Sequence, residues 1–293
     1  MFSDPRRITR TPAMLAHLRK PVDAHKFTHG HALVLTGGPG RTGAARLAAR
    51  GALRVGAGLV TLGAPPAAQM EVAVQITALM LRRVEDAAAL TALLADPRIT
   101  ALCMGPGLGV ERAAALLPAA LARGLPTVLD ADALSAIGQA PGLRAALHPK
   151  CLLTPHEGEF ARVFPDLAKR LRKEPKSVPA QPSTQANTRA SAVRDAAQLA
   201  GCTVLLKGPQ TLIASPDGAC SLHDAPAPWL ATAGSGDVLA GLATGLLARG
   251  LPMHAAAETA VYLHAEAARR FGPGLIAEDI PEALPGMFTD MGV

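Results

Sequence analysis

The chain has 293 residues, 49% of them hydrophobic but only 3% aromatic, so its core has to be assembled from Leu, Val, Ile and Ala. The net charge of +6 suits an anionic small substrate, while the scarcity of aromatic rings to stack bases argues against a nucleic-acid binder. No apolar run reaches membrane-spanning length free of Gly, Pro or charge. The opening MFSDPRRITRTP lacks the apolar stretch of a secretory leader. The four cysteines (Cys103, Cys151, Cys202, Cys220) show no C-x-x-C spacing, which excludes a thiolate zinc site and a dithiol redox motif and leaves buried thiols in a cytoplasmic protein as the expectation.

In chain order, residues 1–24 read as an N-terminal extension. His25, His29 and His31 follow without a second set of ligands at metal-binding spacing. HALVLTG (31–37) is a strand, GPGRTG (38–43) a glycine loop, and GAARLAARGALRVGAG a helix. The loop satisfies G-x-G-x-x-G, yet the next strand, GLVTLGAP (58–65), ends without the ribose-binding acid of a dinucleotide fold; the first carboxylate beyond it is Glu71. A P-loop needs Lys after the last glycine, where Ala44 and Ala45 stand. What remains is a loop that lets backbone approach a ligand and a helix N-terminus that favours negative charge.

AAALTALLADP is helical, ITALCMGPGLG (99–109) a strand running into a second glycine turn, and AAALLPAALARG helical. PTVLDADAL (126–134) is a strand ending in Asp130 and Asp132, one placed to cap the next helix and the other facing the same crevice as the glycine turns. CLLTPHEGEF (151–160) is a strand and loop. His156 is a candidate substrate contact and Glu159 a neighbour of a magnesium–phosphate cluster; alternatively the acids cap a helix and His156 lies on the surface. The stretch at about 165–190 is rich in Lys, Arg, Pro, Ser, Thr and Gln and reads as an exposed, flexible insertion. ASAVRDAAQLAG is a helix, and CTVLLKG (202–208) a strand whose terminal Lys207 suits a nucleotide phosphate. TLIASPDG and ACSLHDAP read as a hairpin, and GSGDVLAGLATGLLARG and MHAAAETAVYLHAEAARR as two helices.

Continuous apolar strands alternating with Ala/Leu helices, with no linker between halves, predict a single α/β domain over 1–293 with a mainly parallel central sheet and helices on both faces. Ligands of such sheets bind beyond the carboxyl ends of the strands, where Gly38, Gly105, Asp130, His156 and Lys207 all fall. GSGD (234–237) is the strongest local signal. Gly234 and Gly236 flank Ser235 in a concavity of amides suited to an oxyanion or phosphate. Asp237, in the first turn of the helix they open, is placed to take a proton from a hydroxyl attacking phosphorus.

Taken in order, GG-x-x-x-x-GA (37–44), LRVGAGLVTL (53–62), GPGLG (105–109), DADAL (130–134), LTPHEGEF (153–160), LKGPQT (206–211) and AGSGDVLAGLATGLLARG (233–250) make the chain, from about His25 to Arg270, resemble the ADP-dependent NAD(P)H-hydrate dehydratases of the ribokinase-like superfamily. The resemblance implies repair of the S epimer of hydrated NADH or NADPH, with ADP as phosphoryl donor, Mg²⁺ as cofactor, and AMP and phosphate as products. It makes Asp237 the base and gives Gly234, Ser235 and Gly236 the transferring phosphoryl group. Ala44, Gly107, Gly109 and His156 would contact the hydrated dinucleotide, and Lys207, Gly208, Pro209, Gln210, Thr211 and Gly236 the adenosine nucleotide. Glu159 and Asp130 would reach the metal through phosphate or water. It also implies a homo-oligomer, a tetramer, working with a separate epimerase, since the chain begins almost at the dehydratase.

GSGD stands where relatives commonly have GTGD or GMGD, and a hole built of backbone amides tolerates that change. The alternative from the same superfamily is an ATP-dependent kinase of a vitamin-precursor alcohol of the hydroxyethylthiazole or hydroxymethylpyrimidine type, in which Asn often stands in place of His156. A non-catalytic nucleotide-binding regulator is disfavoured by the presence of both Asp237 and the glycine hole. A Rossmann dehydrogenase is disfavoured by the absent ribose acid.

Overall fold

The computed structural model describes residues 4–172 and 182–293. Its strands are β1 (Arg6–Arg7), β2 (His31–Leu35), β3 (Leu59–Ala64), β4 (Met80–Arg83), β5 (Ala101–Met104), β6 (Thr127–Leu129), β7 (Cys151–Leu153), β8 (Thr203–Leu206), β9 (Thr211–Ala214) and β10 (Cys220–His223). The helices are α1 (Pro12–Leu18), α2 (Gly43–Arg54), α3 (Gln69–Ala73), α4 (Ala87–Leu94), α5 (Val110–Ala122), α6 (Ala131–Gln139), α7 (Pro141–Arg144), α8 (Glu157–Val163), α9 (Pro165–Arg172), α10 (Pro182–Ala200), α11 (Ser235–Ala248), α12 (Met253–Phe271) and α13 (Asp279–Met291).

The strands form one sheet in the order β1-β10-β9-β8-β7-β6-β5-β2-β3-β4, parallel from β8 to β4, with the β9–β10 hairpin antiparallel at the other end. Because side chains alternate along a strand, β2 serves two cores at once. Ala32 and Val34 pack with α1, α2, α11, α12 and α13, whereas Leu33 and Leu35 pack with α4, α5, α6, α8 and α10. Both faces are covered, which is why the strands read as unbroken apolar runs.

α11 is apolar on every side and buried along almost its whole length. It nests on α2 through small residues: a Cβ at Gly241 would lie 2.0 Å from the Ala48 carbonyl oxygen, and one at Gly245 2.5 Å from that of Ala52. The two backbones therefore nearly touch, which holds the first turn of α11 at a set height above the sheet. Strand order reverses between β2 and β5, so the loops that leave them part and open a crevice at their carboxyl ends.

Three features differ from the sequence expectation. The N-terminal segment is part of the fold: β1 pairs with β10, and Ile8, Met14 and Leu18 are buried. The stretch expected as an exposed insertion is helical on both flanks, α9 and α10, with Ala168 and Ala190 buried; residues 173–181 lie outside the described residues. The edge strand β4 and helix α13 have weak signals, since MLRR is mostly exposed and α13 carries an internal Pro285. All four cysteines are buried and unpaired. Among the described residues no helix is long and apolar enough to cross a membrane.

Candidate active site

Four ionisable side chains meet beyond the carboxyl ends of β6, β7 and β8 and at the start of α11. Lys207 Nζ lies 2.7 Å from Asp130 Oδ1 and 3.8 Å from Glu159 Oε2. Thr154 Oγ1 donates to the same Asp130 oxygen at 2.8 Å. Asp130 sits at the end of β6 because the chain turns sharply there: Ala131 adopts φ +45°, a left-handed conformation unusual for a residue with a Cβ. A side chain at Gly105 would strike the Asp130 carbonyl at 1.7 Å, so the β5 loop and the β6 end press together only because that residue is glycine. Burial alone would lower the Lys207 pKa, but the carboxylates of Asp130 and Glu159 raise it above its ordinary value and keep it charged.

Asp237 faces this cluster from the first turn of α11. Burial, and then the negative charges of Asp130, Glu159 and Asp132, push its pKa up to about 6 against the pull of Lys207. The turn that carries it begins at Gly234, with φ +87°, where Leu47 and Ala277 leave no room for a side chain. Ser235 Oγ donates to the Leu230 carbonyl at 2.7 Å, and His264 Nε2 lies 2.8 Å from the Ser235 carbonyl oxygen. The Ser235 hydroxyl thus serves the turn itself, and what the turn offers a ligand is backbone N–H. Burial drops the His264 pKa to about 4, so the ring is neutral and carries its proton on Nε2 to make that bond. A Cβ at Gly236 would stand 3.4 Å from Lys207 Nζ, which places the ammonium beside the amides that open the helix.

The two glycine loops of the crevice form a second group. A Cβ on Gly107 would lie 3.2 Å from that of Ala44, and one on Gly37 2.1 Å from the Gly107 carbonyl oxygen, so the loops after β2 and β5 interlock. Two of their amides are occupied by the chain's own acids. Gly40 N donates to Glu71 at 2.7 Å, Thr42 Oγ1 donates to the other Glu71 oxygen at 2.5 Å, and Gly109 N donates to Asp132 at 2.8 Å. The GPGRTG loop is therefore not the open phosphate cradle that its letters suggest: a carboxylate already takes the Gly40 amide.

His156 is the N-cap of α8. Its Nδ1 accepts from the amides of Gly158 and Glu159, and Glu159 Oε2 accepts from the His156 amide at 2.9 Å in a capping box. The ring stays half-exposed, with Nε2 3.5 Å from Glu159 Oε1, so the motif caps a helix as the alternative expected, with His156 itself supplying the cap alongside Glu159. Gly208, Pro209, Gln210 and Thr211 form the turn from β8 to β9, Gly208 and Pro209 exposed and Thr211 Oγ1 bonded to the Gly208 carbonyl. Of the positions singled out in the sequence, Asp130, Glu159, Lys207, Gly236 and Asp237 come together; Ala44, in the first turn of α2, lies against Gly107, and Gly109 is bonded to Asp132.

Among the described residues no three His, Cys, Asp or Glu side chains are arranged to hold a metal ion. Asp130 and Glu159 each present a carboxylate to one crevice, and Asp130 Oδ1 is already engaged by Lys207 and Thr154. That donor set fits Mg²⁺ held largely by phosphate oxygens and water, the usual manner of this ion, and does not fit an all-protein cage. Thr154, Ala131, Glu71 and His264 had no sequence signal that tied them to the site; Glu71 stood out only as the first acid after the second strand.

A mainly parallel sheet with reversed strand order, and a buried helix whose glycine-rich first turn carries an acid beside a strand-end lysine, define the ribokinase-like class of α/β protein. The structure superposes on that of a ribokinase-like superfamily protein from Enterococcus faecalis with a TM-score of 0.79, covering 99% of this chain and 98% of the other at 22% identity. The chain belongs to the NAD(P)H-hydrate dehydratase family, whose sequence model it matches over residues 32–280. It is similar to the bifunctional NAD(P)H-hydrate repair enzyme Nnr of Moorella thermoacetica, 35% identical over 93% of this chain and 52% of the relative. The chain spans about half the length of the curated relatives it matches. It is also similar to a crystal structure of an ADP/ATP-dependent NAD(P)H-hydrate dehydratase from Bacillus subtilis co-crystallised with ATP and Mg²⁺, 27% identical with a TM-score of 0.79 over 98% of this chain and 99% of the other.

Proposed function

We propose that this chain dehydrates the S epimer of hydrated NADH and NADPH, using ADP as phosphoryl donor and yielding NAD(P)H, AMP and phosphate. The observation that carries the reading is Asp237, a carboxylate held near pKa 6 at the first turn of α11, beside the Lys207 ammonium at the start of the helix. A base so placed accepts the proton of the ring hydroxyl while that oxygen bonds to the β-phosphorus of ADP and the bond to the AMP oxygen breaks. The phosphate ester then leaves as the adjacent ring carbon gives up a proton, and the electron pair of that C–H bond becomes the restored double bond. No electrons are gained or lost overall.

The amides of the 234–237 turn and Lys207 receive the charge that develops on the transferring group. The 207–211 turn binds the nucleotide, and Ala44, Gly107, Gly109 and His156 line the place of the hydrated dinucleotide. Mg²⁺, held by Asp130 and Glu159 through water and phosphate oxygens, neutralises phosphate charge when bound. In this reading the enzyme works in the cytoplasm as a homo-oligomer, a tetramer, and an epimerase supplies the S form.

The test is direct: purified protein, hydrated NADPH, Mg²⁺ and either ADP or ATP, with recovery of reduced-nicotinamide absorbance as the readout. Recovery with ADP and not ATP supports the whole assignment. Recovery with ATP alone refutes the donor. No recovery with either, while nucleotide still binds, refutes the dehydratase reading in favour of an alcohol kinase of the same fold.

A further inference from the structure

The dinucleotide that the proposed reaction requires carries two or three phosphates, and the crevice has to meet their charge. Two of the glycine-loop amides are not free to do so. The Gly40 amide is bonded to Glu71 and the Gly109 amide to Asp132, so two acids already sit where a phosphate would be cradled. Arg41 lies between these loops. Its carbonyl oxygen is 2.6 Å, and its Nη1 3.6 Å, from where Cβ atoms on Gly107 and Gly109 would stand. Its side chain is exposed, and among the described residues its guanidinium makes no hydrogen bond or ion pair. The other arginines nearby are engaged: Arg46 donates to Gln75, and Arg50 and Arg54 both pair with Glu282.

We propose that Arg41 is the phosphate-binding residue for the dinucleotide substrate, and that the glycine loops supply shape and no anion site. The assignment rests on the reading under Proposed function. A planar guanidinium with its donors uncommitted matches phosphate geometry, and its chain neighbours Gly40 and Thr42 are pinned by Glu71, which limits how far the side chain can stray.

The experiment measures binding of NADPH and NADH to the full chain by the fluorescence of the reduced nicotinamide, at low and high salt, for wild type, Arg41→Gln, Arg41→Lys and, as a remote control, Arg50→Gln. Steady-state rates with both hydrated substrates run in parallel. Arg41→Gln is expected to weaken binding about tenfold, the loss of one charge-assisted hydrogen bond at a solvent-facing site, with KM raised to match and kcat within about twofold. Arg41→Lys recovers part of the affinity, and the salt dependence flattens in Arg41→Gln. Weakening of both dinucleotides assigns Arg41 to the shared pyrophosphate, and weakening of NADPH alone assigns it to the 2′-phosphate; either supports the proposal. Affinity and salt dependence unchanged from wild type for both overturn it. Wild type that binds either dinucleotide but repairs neither hydrate refutes the proposed function while the Arg41 comparison is still decided by binding. Wild type that binds neither dinucleotide and repairs neither hydrate refutes both; where repair proceeds without measurable product binding, a hydrate KM unchanged in Arg41→Gln overturns the Arg41 assignment.

Discussion

Replacing Asp237 by Asn should abolish repair and at the same time make the protein more stable. The carboxyl has a pKa of about 6 in the folded chain, against an ordinary value of 3.8. The gap of about two pH units, at roughly 1.36 kcal/mol each, means that the folded state loses about 3 kcal/mol by keeping this group ionised at neutral pH. The sign follows from the raised pKa. The folded state holds the proton more tightly than the unfolded chain, so this stability is present below about pH 4 and lost as pH rises through 6. Asn is uncharged at every pH and escapes the loss, so about 3 kcal/mol is the upper bound on what it regains, or about 5 °C in Tm for a domain of this size. Thermal unfolding followed by circular dichroism at pH 7.5 and near pH 4 checks it. The Asp237→Asn variant is expected to melt higher than wild type at pH 7.5, with the advantage shrinking toward pH 4. Equal melting at pH 7.5, or an advantage independent of pH, would refute the claim that burial and neighbouring acids load Asp237 with unfavourable charge.

Activity should climb with pH through about 6 as Asp237 ionises. Asp130→Asn removes the charge that, after burial, does most to raise that pKa, and should move this limb of kcat/KM down by about half to one pH unit; an unmoved limb would mean that another group is the base. Gly241→Ala should destabilise despite the better helix propensity of Ala, since the new Cβ would meet the Ala48 carbonyl oxygen at 2.0 Å. The overpacking, about 1–3 kcal/mol or more, exceeds the roughly 1 kcal/mol gained from propensity, and denaturant unfolding reads the difference. His264→Leu removes the donor to the Ser235 carbonyl and should lower kcat about tenfold with little change in dinucleotide KM, whereas His264→Gln, which keeps an N–H, should recover part of the rate. Equal rates in the two variants would show that the bond does not position the 234–237 turn.

Much of this molecule is written locally. Strand runs such as HALVL and the Ala/Leu helices that follow them carry their own periodicity, and buried parallel strands leave a plain apolar signature. Asp237 and the glycines around it were legible for the same reason, since a helix opening and its first-turn acid are neighbours in the chain. Strand β4 and helix α13 were not, because exposed arginines and an internal proline mask short elements that tertiary packing holds in place.

What the sequence by itself determined is the alternation of elements, hence the sheet, the end of the sheet where ligands bind, and the residue types gathered there. Only the tertiary structure decided which partner each takes. That Glu71 closes the glycine loop 31 residues before it, that Lys207 joins Asp130 across 77 residues, and that His264 supports a turn 29 residues back are all contacts made by strand order and helix packing. The pKa of Asp237 belongs to that second kind. Burial and the field of four other side chains set it, and both exist only once distant segments are brought together.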